Sequence, residues 1–252
     1  MKETMIEAIK KAGKVVNEER GKIEEVRMKS YKDFVTSVDL KSEEIIVKTI
    51  KERFPEHTIY SEEMGTENKS SEYMWIIDPL DGTHNYMFNI PFFGISIALA
   101  RDKNVIMGAV YLPAFDELFF AEKGRGAFLN GKPINVAPHK LPESLVLYDN
   151  QFHNHEDMMP NFTKLVEKVF TTRIMGSAVC DLTSVARGYA NARIFHKPKL
   201  CDFAAGALIV EEAGGKATDF QGNNWNIETK NLIASNGIIH NDLLQILKIK
   251  KY

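Results

Sequence analysis

Acidic residues that follow apolar runs or stand beside glycine are the features of this sequence that most plainly suggest chemistry. The segment WIIDPLDGTHNY, residues 75–86, interrupts an apolar run with two aspartates three positions apart. Three other places have a comparable setting, so that the full set is Asp39 in DFVTSVD, Glu62 and Glu63 in IYSEEMG, Asp78 and Asp81 in IIDPLDGT, and Asp202 in LCDFAAG. Because three of these places follow or touch a β-rich run, we expect the carboxylates to converge at one edge of a sheet.

A cluster of this kind predicts a site for hard cations. Four or five carboxylates would repel one another at neutral pH unless cations neutralised them. Ligand sets made only of oxygen favour Mg²⁺, Mn²⁺ or Ca²⁺ over zinc, and no His/Cys grouping in the sequence competes for a softer metal. Pro79 restricts its own φ, so that the chain can turn and aim both neighbouring aspartates at one place. The carbonyl of Leu80, between them, is a further candidate ligand.

The residues after Asp81 are suited to hold phosphate. Gly82 and Thr83 open a short segment, HNYMF, that is compatible with a helix. Backbone N–H groups at a helix start, with a glycine that permits close approach, bind phosphate well. A divalent metal beside a phosphate site is the arrangement for metal-assisted phosphate hydrolysis.

Simpler explanations exist for each acid taken alone. Asp78 and Asp81 could be turn residues whose side chains make Asx hydrogen bonds. Asp39 and Asp202 could each cap a helix, and Glu62 could be a solvated surface acid. The order of the acids and their surroundings favour a common site.

The elements that must position these acids can be read from hydrophobic spacing. Apolar residues at intervals of three and four predict an amphipathic helix over residues 2 to about 28 and a second helix from about Asp39 to Arg53. β-rich runs follow between residues 57 and 134, and the pair Asn130-Gly131 predicts a hairpin. From about Pro142 strands and helices alternate, with predicted strands in SLVLYD, TRIMG, ARIFH, KATDF and NLIASN, and predicted helices over residues 158–169, 178–188, 202–213 and 241–249.

This rhythm predicts sheets covered by helices in one unit of 252 residues. We expect approximate subdomains at 1–140, with most of the candidate ligands, and 141–252, with the last one. The formal charge of −2 and the dispersed basic residues favour neither nucleic-acid nor membrane binding. Cys180 and Cys201 are too few for a disulfide framework. Together with a charged N-terminus unlike a signal peptide, this predicts a cytoplasmic location.

Beyond these separate patterns, six blocks of the sequence resemble the inositol monophosphatase family, within the Mg²⁺-dependent, Li⁺-sensitive phosphatase superfamily. WIIDPLDGT is similar to the family's signature. The other blocks, in the family's order, are KDFVTSVD, SEEMG, GAVYLPAFDELFFAEKGRGAFLNGKPI, MGSAVCDLTSVARG, and CDFAAGALIVEEAGG leading to IASNG. The resemblance implies an α+β fold with layers in the order αβαβα, a homodimer, and hydrolysis of a small-molecule phosphate monoester by direct in-line attack of water.

The resemblance also implies a role for each site residue. The metal ligands would be Glu62, Asp78, the Leu80 carbonyl, Asp81 and Asp202, holding two to three Mg²⁺ ions, with Mn²⁺ as a possible substitute. The catalytic residues would be Asp39 and Thr83, an acid–hydroxyl pair that orients and deprotonates the attacking water, and Glu62, near a more weakly held ion. The substrate would lie against Asp81, Gly82, Thr83, Ala178, Phe195 and Asp202.

Two positions depart from the family pattern. The closing motif usually contains a Trp-Asp pair, and here Cys201 precedes Asp202. Seven residues before that aspartate, animal enzymes have a glutamate that binds inositol hydroxyls, and this sequence has Phe195, which cannot accept hydrogen bonds from hydroxyl groups.

The substrate therefore stays open at this point. His196, Lys197, Lys199 and Arg173 could bind a second phosphate, as in fructose 1,6-bisphosphate, adenosine 3′,5′-bisphosphate or NADP, or they could be solvated. An alternative of another class is a regulatory binding protein that retains the fold. Retention of all the candidate ligands and of the acid–hydroxyl pair favours the enzyme.

Overall fold

The computed structural model describes residues 1–23, 25–31, 33–67, 71–153 and 155–247. Within these ranges the α-helices are α1 Lys2–Glu18, α2 Ser37–Lys51, α3 Thr83–Met87, α4 Met158–Val166, α5 Ala178–Ala186, α6 Leu200–Glu212 and α7 His240–Ile246. None of these helices is both long enough and apolar enough to cross a membrane.

Fifteen strands are found in the same described ranges. They are β1 Val26–Ser30, β2 Asp33–Thr36, β3 Thr58–Ser61, β4 Gly65–Glu67, β5 Tyr73–Asp81, β6 Gly94–Arg101, β7 Asn104–Leu112, β8 Glu117–Glu122, β9 Ala127–Leu129, β10 Lys132–Pro133, β11 Leu145–Leu147, β12 Thr171–Arg173, β13 Ala192–His196, β14 Lys216–Thr218 and β15 Asn231–Ser235.

The strands form one large sheet, one smaller sheet and a hairpin. The large sheet has the order β10-β9-β8-β7-β6-β5-β3-β4, and only the β3–β5 pair is parallel. The smaller sheet has the order β12-β11-β13-β15-β14, in which β11 runs parallel to both β12 and β13. The remaining strands, β1 and β2, pair with each other.

Helices and sheets are stacked in five layers. Helices α1 and α2 cover one face of the large sheet along β5, β6 and β7, while α6 covers its other face. Helices α5 and α6 also contact the smaller sheet, whose far side carries α7 and, beside it, α4. The order is therefore αβαβα, and the predicted α+β layered fold is confirmed.

Three apolar clusters fill the spaces between these layers in the described part of the chain. Met5, Ile9 and Val16 of α1 are completely buried against the large sheet. Between the two sheets lies a second cluster that includes Phe119, Phe195 and Phe203. Because β5 and β6 are covered on both faces, they are almost continuously buried and read as unbroken apolar runs.

The first predicted helix is too long. Helix α1 ends at Glu18, and Val26–Ser30 forms β1 instead. Gly21 follows the helix with a φ of +76°, a left-handed conformation that glycine adopts easily and that cannot continue a helix.

The other predicted elements are found close to their expected places. Helix α2 begins two residues before Asp39, and the predicted hairpin joins β9 to β10 through Asn130 and Gly131, both with positive φ. The end of the predicted final helix, at residues 248–249, lies outside the described part of the chain.

Candidate active site

A cavity of about 770 Å³ brings most of the candidate residues together. The predicted site residues that line it are Glu62, Asp78, Leu80, Asp81, Gly82, Thr83, Ala178, Phe195 and Asp202. Asp39 lies behind this wall and reaches it through a hydrogen bond from Thr83. Residues from both sheets and from the helical layer between them therefore border one space.

A break in strand pairing exposes the two aspartates of the DPLDGT segment to this cavity. Asp78 pairs with Ser96 and Asp81 pairs with Gly94, so the ladder between β5 and β6 shifts register between them. The backbone N–H of Leu80 donates a hydrogen bond to Asp78 Oδ1 at 3.1 Å. As expected from Pro79, this bend directs both carboxylates to the same side.

Asp81 joins the large sheet to α5. Its carboxylate accepts hydrogen bonds from the Ser177 hydroxyl and from the backbone N–H groups of Ala178, at 3.2 Å, and Val179, at 3.1 Å. Burial raises the pKa of Asp81 to about 6, and these hydrogen bonds oppose that rise. The first turn of α5 is thereby attached to the carboxylate.

The carboxylates form two groups that are compact enough for metal binding. Ligand atoms of Asp78, Asp81 and Asp202 lie within 4.8 Å of one another, as do those of Glu62, Asp78 and Cys201. Glu62 reaches Asp78 because β3 and β5 are parallel neighbours, and its backbone N–H donates to the carbonyl of Ile77 at 3.2 Å.

The electrostatics of these groups suit a cation. Burial, and then the charge of Glu62, raise the pKa values of Asp78 and Asp202 well above the usual range. A divalent cation would relieve this repulsion, and the oxygen donors fit Mg²⁺ or Mn²⁺. Burial also raises the pKa of the Cys201 thiol well above its usual value, so this group stays protonated beside the acids.

Two lysines contact Glu62. Lys29 Nζ lies 3.0 Å from Glu62 Oε1 and 2.6 Å from Glu63 Oε1, and Lys199 Nζ lies 2.9 Å from the same Glu62 oxygen. Burial works to raise the pKa of Glu62, but the two ammonium groups outweigh it and hold that pKa below its usual range. Glu62 is therefore a partly buried acid of the site rather than a solvated surface group.

The predicted acid–hydroxyl pair is assembled at the edge of the cavity. The Thr83 hydroxyl lies 3.2 Å from Asp39 Oδ1 and 3.0 Å from the Leu80 carbonyl oxygen, either of which can accept its proton. Asp39 also accepts a hydrogen bond at 2.9 Å from the backbone N–H of Thr36 in the capping box of α2. Burial raises the pKa of Asp39 to about 6. Asp39 thus belongs to the helix cap and contacts the site at the same time.

Asp202 also combines two roles. It stands in the first turn of α6, where its Oδ2 accepts a hydrogen bond at 2.8 Å from the backbone N–H of Lys199. Its other neighbours are the aspartates at the end of β5. Helix α6 lies between the two sheets, which explains how a residue 121 positions after Asp81 reaches it.

The basic residues that the sequence suggested for binding a second phosphate lie in different surroundings. Lys197 and Lys199 line the cavity. His196 is 5% exposed, and burial lowers its pKa to about 4, so it is neutral at physiological pH. The Arg173 guanidinium donates to Thr171 and to the Thr172 carbonyl oxygen.

Several residues at the site were not identified from the sequence as site residues. Ser177 could not be identified from the sequence because its hydrogen-bond partner, Asp81, lies 96 positions earlier in the chain. Lys29 falls in β1, which was expected to be helix, and nothing local marks it. Asp149 and Arg193 also line the cavity, and a charged residue inside the apolar strand ARIFH was the available signal for the second of them.

This geometry is accompanied by similarity along the whole chain. A model of the inositol monophosphatase family matches residues 1–251. The chain belongs to the inositol monophosphatase family.

Relatives of this chain carry different functional names. The chain is 39% identical to "Fructose-1,6-bisphosphatase/inositol-1-monophosphatase" of Aquifex aeolicus over 94% of its length and 90% of that protein. It is 37% identical to "Nus factor SuhB" of Haemophilus influenzae, covering 96% of this chain and 94% of that one. Among solved structures, an IMPase of Thermotoga maritima matches with a TM-score of 0.88 and 33% identity, over 96% of this chain and 94% of that one.

Proposed function

We propose that this protein is a Mg²⁺-dependent hydrolase of small-molecule phosphate monoesters. The observation that carries the proposal is the convergence of Asp78, Asp81 and Asp202 within 4.8 Å, in a cavity that the Thr83–Asp39 pair borders. A structural role alone would not gather three buried acids with raised pKa values, because each adds an electrostatic cost to the fold.

The residues that would hold Mg²⁺ are Glu62, Asp78, the Leu80 carbonyl, Asp81 and Asp202. When bound, Mg²⁺ polarises the phosphoryl oxygens, favours ionisation of the attacking water and stabilises the leaving oxygen. The number of ions, two to three, and the acceptance of Mn²⁺ belong to the same proposal.

The acid–hydroxyl pair would move the proton. The Thr83 hydroxyl, 3.2 Å from Asp39 Oδ1, can accept a hydrogen bond from the attacking water while it donates its own proton to the carboxylate. A carboxyl group whose pKa is about 6 can serve as a base near neutral pH. Water then attacks phosphorus directly, without a phosphoenzyme.

The remaining cavity residues would position the substrate. The backbone of Gly82 and Thr83 at the start of α3 would hold the phosphate. Gly82 has a φ of +81°, and a Cβ there would lie 2.8 Å from the Phe92 carbonyl oxygen, so only glycine fits. The leaving alcohol would lie toward Asp81, Ala178, Phe195 and Asp202.

A bisphosphorylated substrate is the second candidate for the same chemistry. Lys197 and Lys199 line the cavity, and the Aquifex relative carries fructose-1,6-bisphosphatase in its name. Nucleotide bisphosphates and NADP are alternatives of the same type.

A regulatory binding role is the candidate from another class. The Haemophilus relative is named as a Nus factor. Such a role would not require turnover, and retention of the Thr83–Asp39 contact favours the enzyme.

The deciding experiment measures phosphate release with Mg²⁺ from inositol 1-phosphate, fructose 1,6-bisphosphate, adenosine 3′,5′-bisphosphate, NADP and histidinol phosphate. We expect turnover of at least one ester, loss of that turnover on chelation and inhibition by Li⁺. If folded, metal-supplemented protein releases phosphate from none of these esters, the proposal is contradicted. The regulatory binding role then becomes the favoured candidate.

Asp81→Asn is the matched variant for this assay. The amide oxygen retains the hydrogen bond from one of the two N–H groups of α5, so we expect the circular dichroism spectrum of the wild type with hydrolysis reduced about 100-fold or more. Full activity in this variant would show that Asp81 is not a metal ligand.

The proposal also covers the oligomeric state and the subdomain organisation of the chain. We propose a homodimer, which light scattering can test, and a division into subdomains 1–140 and 141–252. The proposed division separates the large sheet from the smaller one.

A further inference from the structure

We propose that Asp149, two residues after the end of β11, is the acceptor for hydroxyl groups of the substrate. The inference rests on the proposed function and adds to it a residue that selects among its esters. It follows from the position of residue 149 relative to β13, from the surroundings of Arg193 and from the lining of the cavity.

The chain brings Asp149 close to Phe195. β11 and β13 are parallel neighbours in which Leu147 pairs with Arg193. Phe195 lies two residues further along β13, and Asp149 lies two residues beyond the end of β11. Leu147 and Phe195 both belong to the apolar cluster between the two sheets, whereas Tyr148 and Ile194 belong to the cluster on the far side. Asp149 and Phe195 both border the cavity, and the guanidinium of Arg193 lies beside both of them.

The Asp149 carboxylate faces the same cavity as the proposed leaving-group residues. Asp149 lines it together with Asp81, Ala178, Phe195 and Asp202. The side chain is 12% exposed, so it is enclosed but reachable. Its Oδ1 accepts one hydrogen bond, at 2.7 Å from the backbone N–H of Asn150, and each carboxylate oxygen has lone pairs for more.

Arg193 is the charged neighbour of this carboxylate. Its guanidinium lies over the Phe195 ring with Cζ 4.3 Å from the ring centroid. Nη2 lies 3.9 Å from Asp149 Oδ2, and Nε lies 3.1 Å from Asp181 Oδ2. Arg193 is only 4% exposed, and its Nη1 is buried with no hydrogen-bonded partner among the described residues. Phe195 therefore packs against Arg193, which lies between the carboxylates of Asp149 and Asp181.

The charge balance here favours hydroxyl groups over a second phosphate. Arg193 stands between two carboxylates, Asp149 and Asp181, so its positive charge is already matched. A phosphate at this position would be repelled by the Asp149 carboxylate, so a second phosphate would have to lie against Lys197 elsewhere in the cavity. Sugar or cyclitol hydroxyls, which donate hydrogen bonds, suit the same carboxylate.

The test compares esters that differ in hydroxyl groups. Inositol 1-phosphate and cyclohexyl phosphate share a six-membered ring and a phosphate, and only the first carries five further hydroxyls. Fructose 1,6-bisphosphate, which carries a second phosphate, is measured separately to compare the contribution of Lys197 with that of Asp149. For Asp149→Ala we expect the ratio of kcat/KM for the hydroxyl-bearing ester over cyclohexyl phosphate to fall about 10- to 100-fold, as loss of a charge-assisted hydrogen bond predicts.

Three further variants make the result specific. Asn150→Ala changes the neighbouring cavity residue while keeping the backbone N–H that Asp149 accepts from, and it should leave the ratio unchanged. Asp149→Ala combined with Phe195→Glu returns a carboxylate to the adjacent strand and should recover part of the ratio. Asp149→Asn, which preserves size, should lower the ratio less than alanine does.

The outcomes separate this inference from the proposed function. An unchanged ratio in Asp149→Ala, with cyclohexyl phosphate still hydrolysed, overturns the role of Asp149 alone. A larger loss for fructose 1,6-bisphosphate in Lys197→Ala than in Asp149→Ala also overturns it, because recognition would then depend on the second phosphate. Absence of all turnover in the wild type overturns the hydrolase proposal itself and the inference with it.

Discussion

At the scale of single residues, the hydroxyl of Thr83 is the group whose removal tests the chemistry most directly. Thr83→Val keeps the shape of the side chain and the backbone N–H proposed to hold phosphate, but it removes the hydroxyl beside Asp39. We expect kcat to fall about 100-fold or more, in the range for loss of positioned proton transfer, with KM nearly unchanged. Steady-state kinetics on the preferred ester measure both.

Thr83→Ser is the control for that prediction, because it retains the hydroxyl that can donate to Asp39 Oδ1 or to the Leu80 carbonyl. It should keep kcat within about tenfold of the wild type. Equal activity in the valine and serine variants would contradict the proton-transfer role. A rise in KM alone would instead assign Thr83 to substrate binding.

At the scale of elements, the close approach of α6 to β7 positions Asp202. Gly108 of β7 faces the helix, and a Cβ there would lie 2.9 Å from both Cα and the carbonyl oxygen of Ala205. Because these are backbone atoms, Gly108→Ala must displace the helix rather than a side chain. We expect a loss of about 1–3 kcal/mol in unfolding free energy and weaker Mg²⁺ binding, since Asp202 moves with the helix. Urea denaturation and calorimetric titration measure the two effects.

Two variants distinguish this displacement from general destabilisation. Adding Ala205→Gly to Gly108→Ala removes only a side chain and should not restore stability. Gly124→Ala introduces a Cβ into open space at a φ of +77°, so it carries a backbone cost alone and should leave Mg²⁺ binding unaltered. Rescue by the first, or an equal metal defect in the second, would refute the proposed packing constraint.

At the scale of the whole molecule, the buried acids connect metal binding to stability and pH. Burial raises the pKa values of Asp39 and Asp81 to about 6, and it raises those of Asp78 and Asp202 further above the usual range. In the metal-free protein, ionising these acids costs stability above their folded-state pKa values, and protonation relieves that cost as the pH falls through them. Protons therefore compete with Mg²⁺ for the same oxygens.

The expected result is a pH-dependent stabilisation by Mg²⁺. At a concentration tenfold above the dissociation constant, Mg²⁺ should raise Tm by about 3–6 °C at pH 8. The shift should shrink at pH 5.5, where the acids are mostly protonated. Differential scanning calorimetry with NaCl of matched ionic strength as the control, and with Asp78→Asn as the metal-deficient variant, measures it. A shift that is equal at both pH values, or retained in the variant, would argue against metal binding at these acids.

Much of the fold could be predicted because its signals are local. Helices α2 and α5 and the hairpin at Asn130-Gly131 followed from apolar spacing and turn chemistry. The end of α1 did not, because the charged segment after Glu18 has no strong periodicity and Gly21, with its left-handed backbone, lies three residues beyond the helix end. The same segment forms β1 through pairing with β2, and such pairing depends on a partner strand rather than on local preference.

The sequence by itself determined the bend at Asp78 to Thr83, because Pro79 restricts the backbone and Gly82 permits the turn within six residues. It also indicated the metal class that we propose, since side-chain oxygens are a property of residue type. Only the tertiary structure decided that Asp202 and Lys199 reach this bend and that Arg193 lies beside Asp149. These contacts depend on sheet order, strand register and the placement of α6 between two sheets, which arise from packing among distant segments and leave no local mark in the chain.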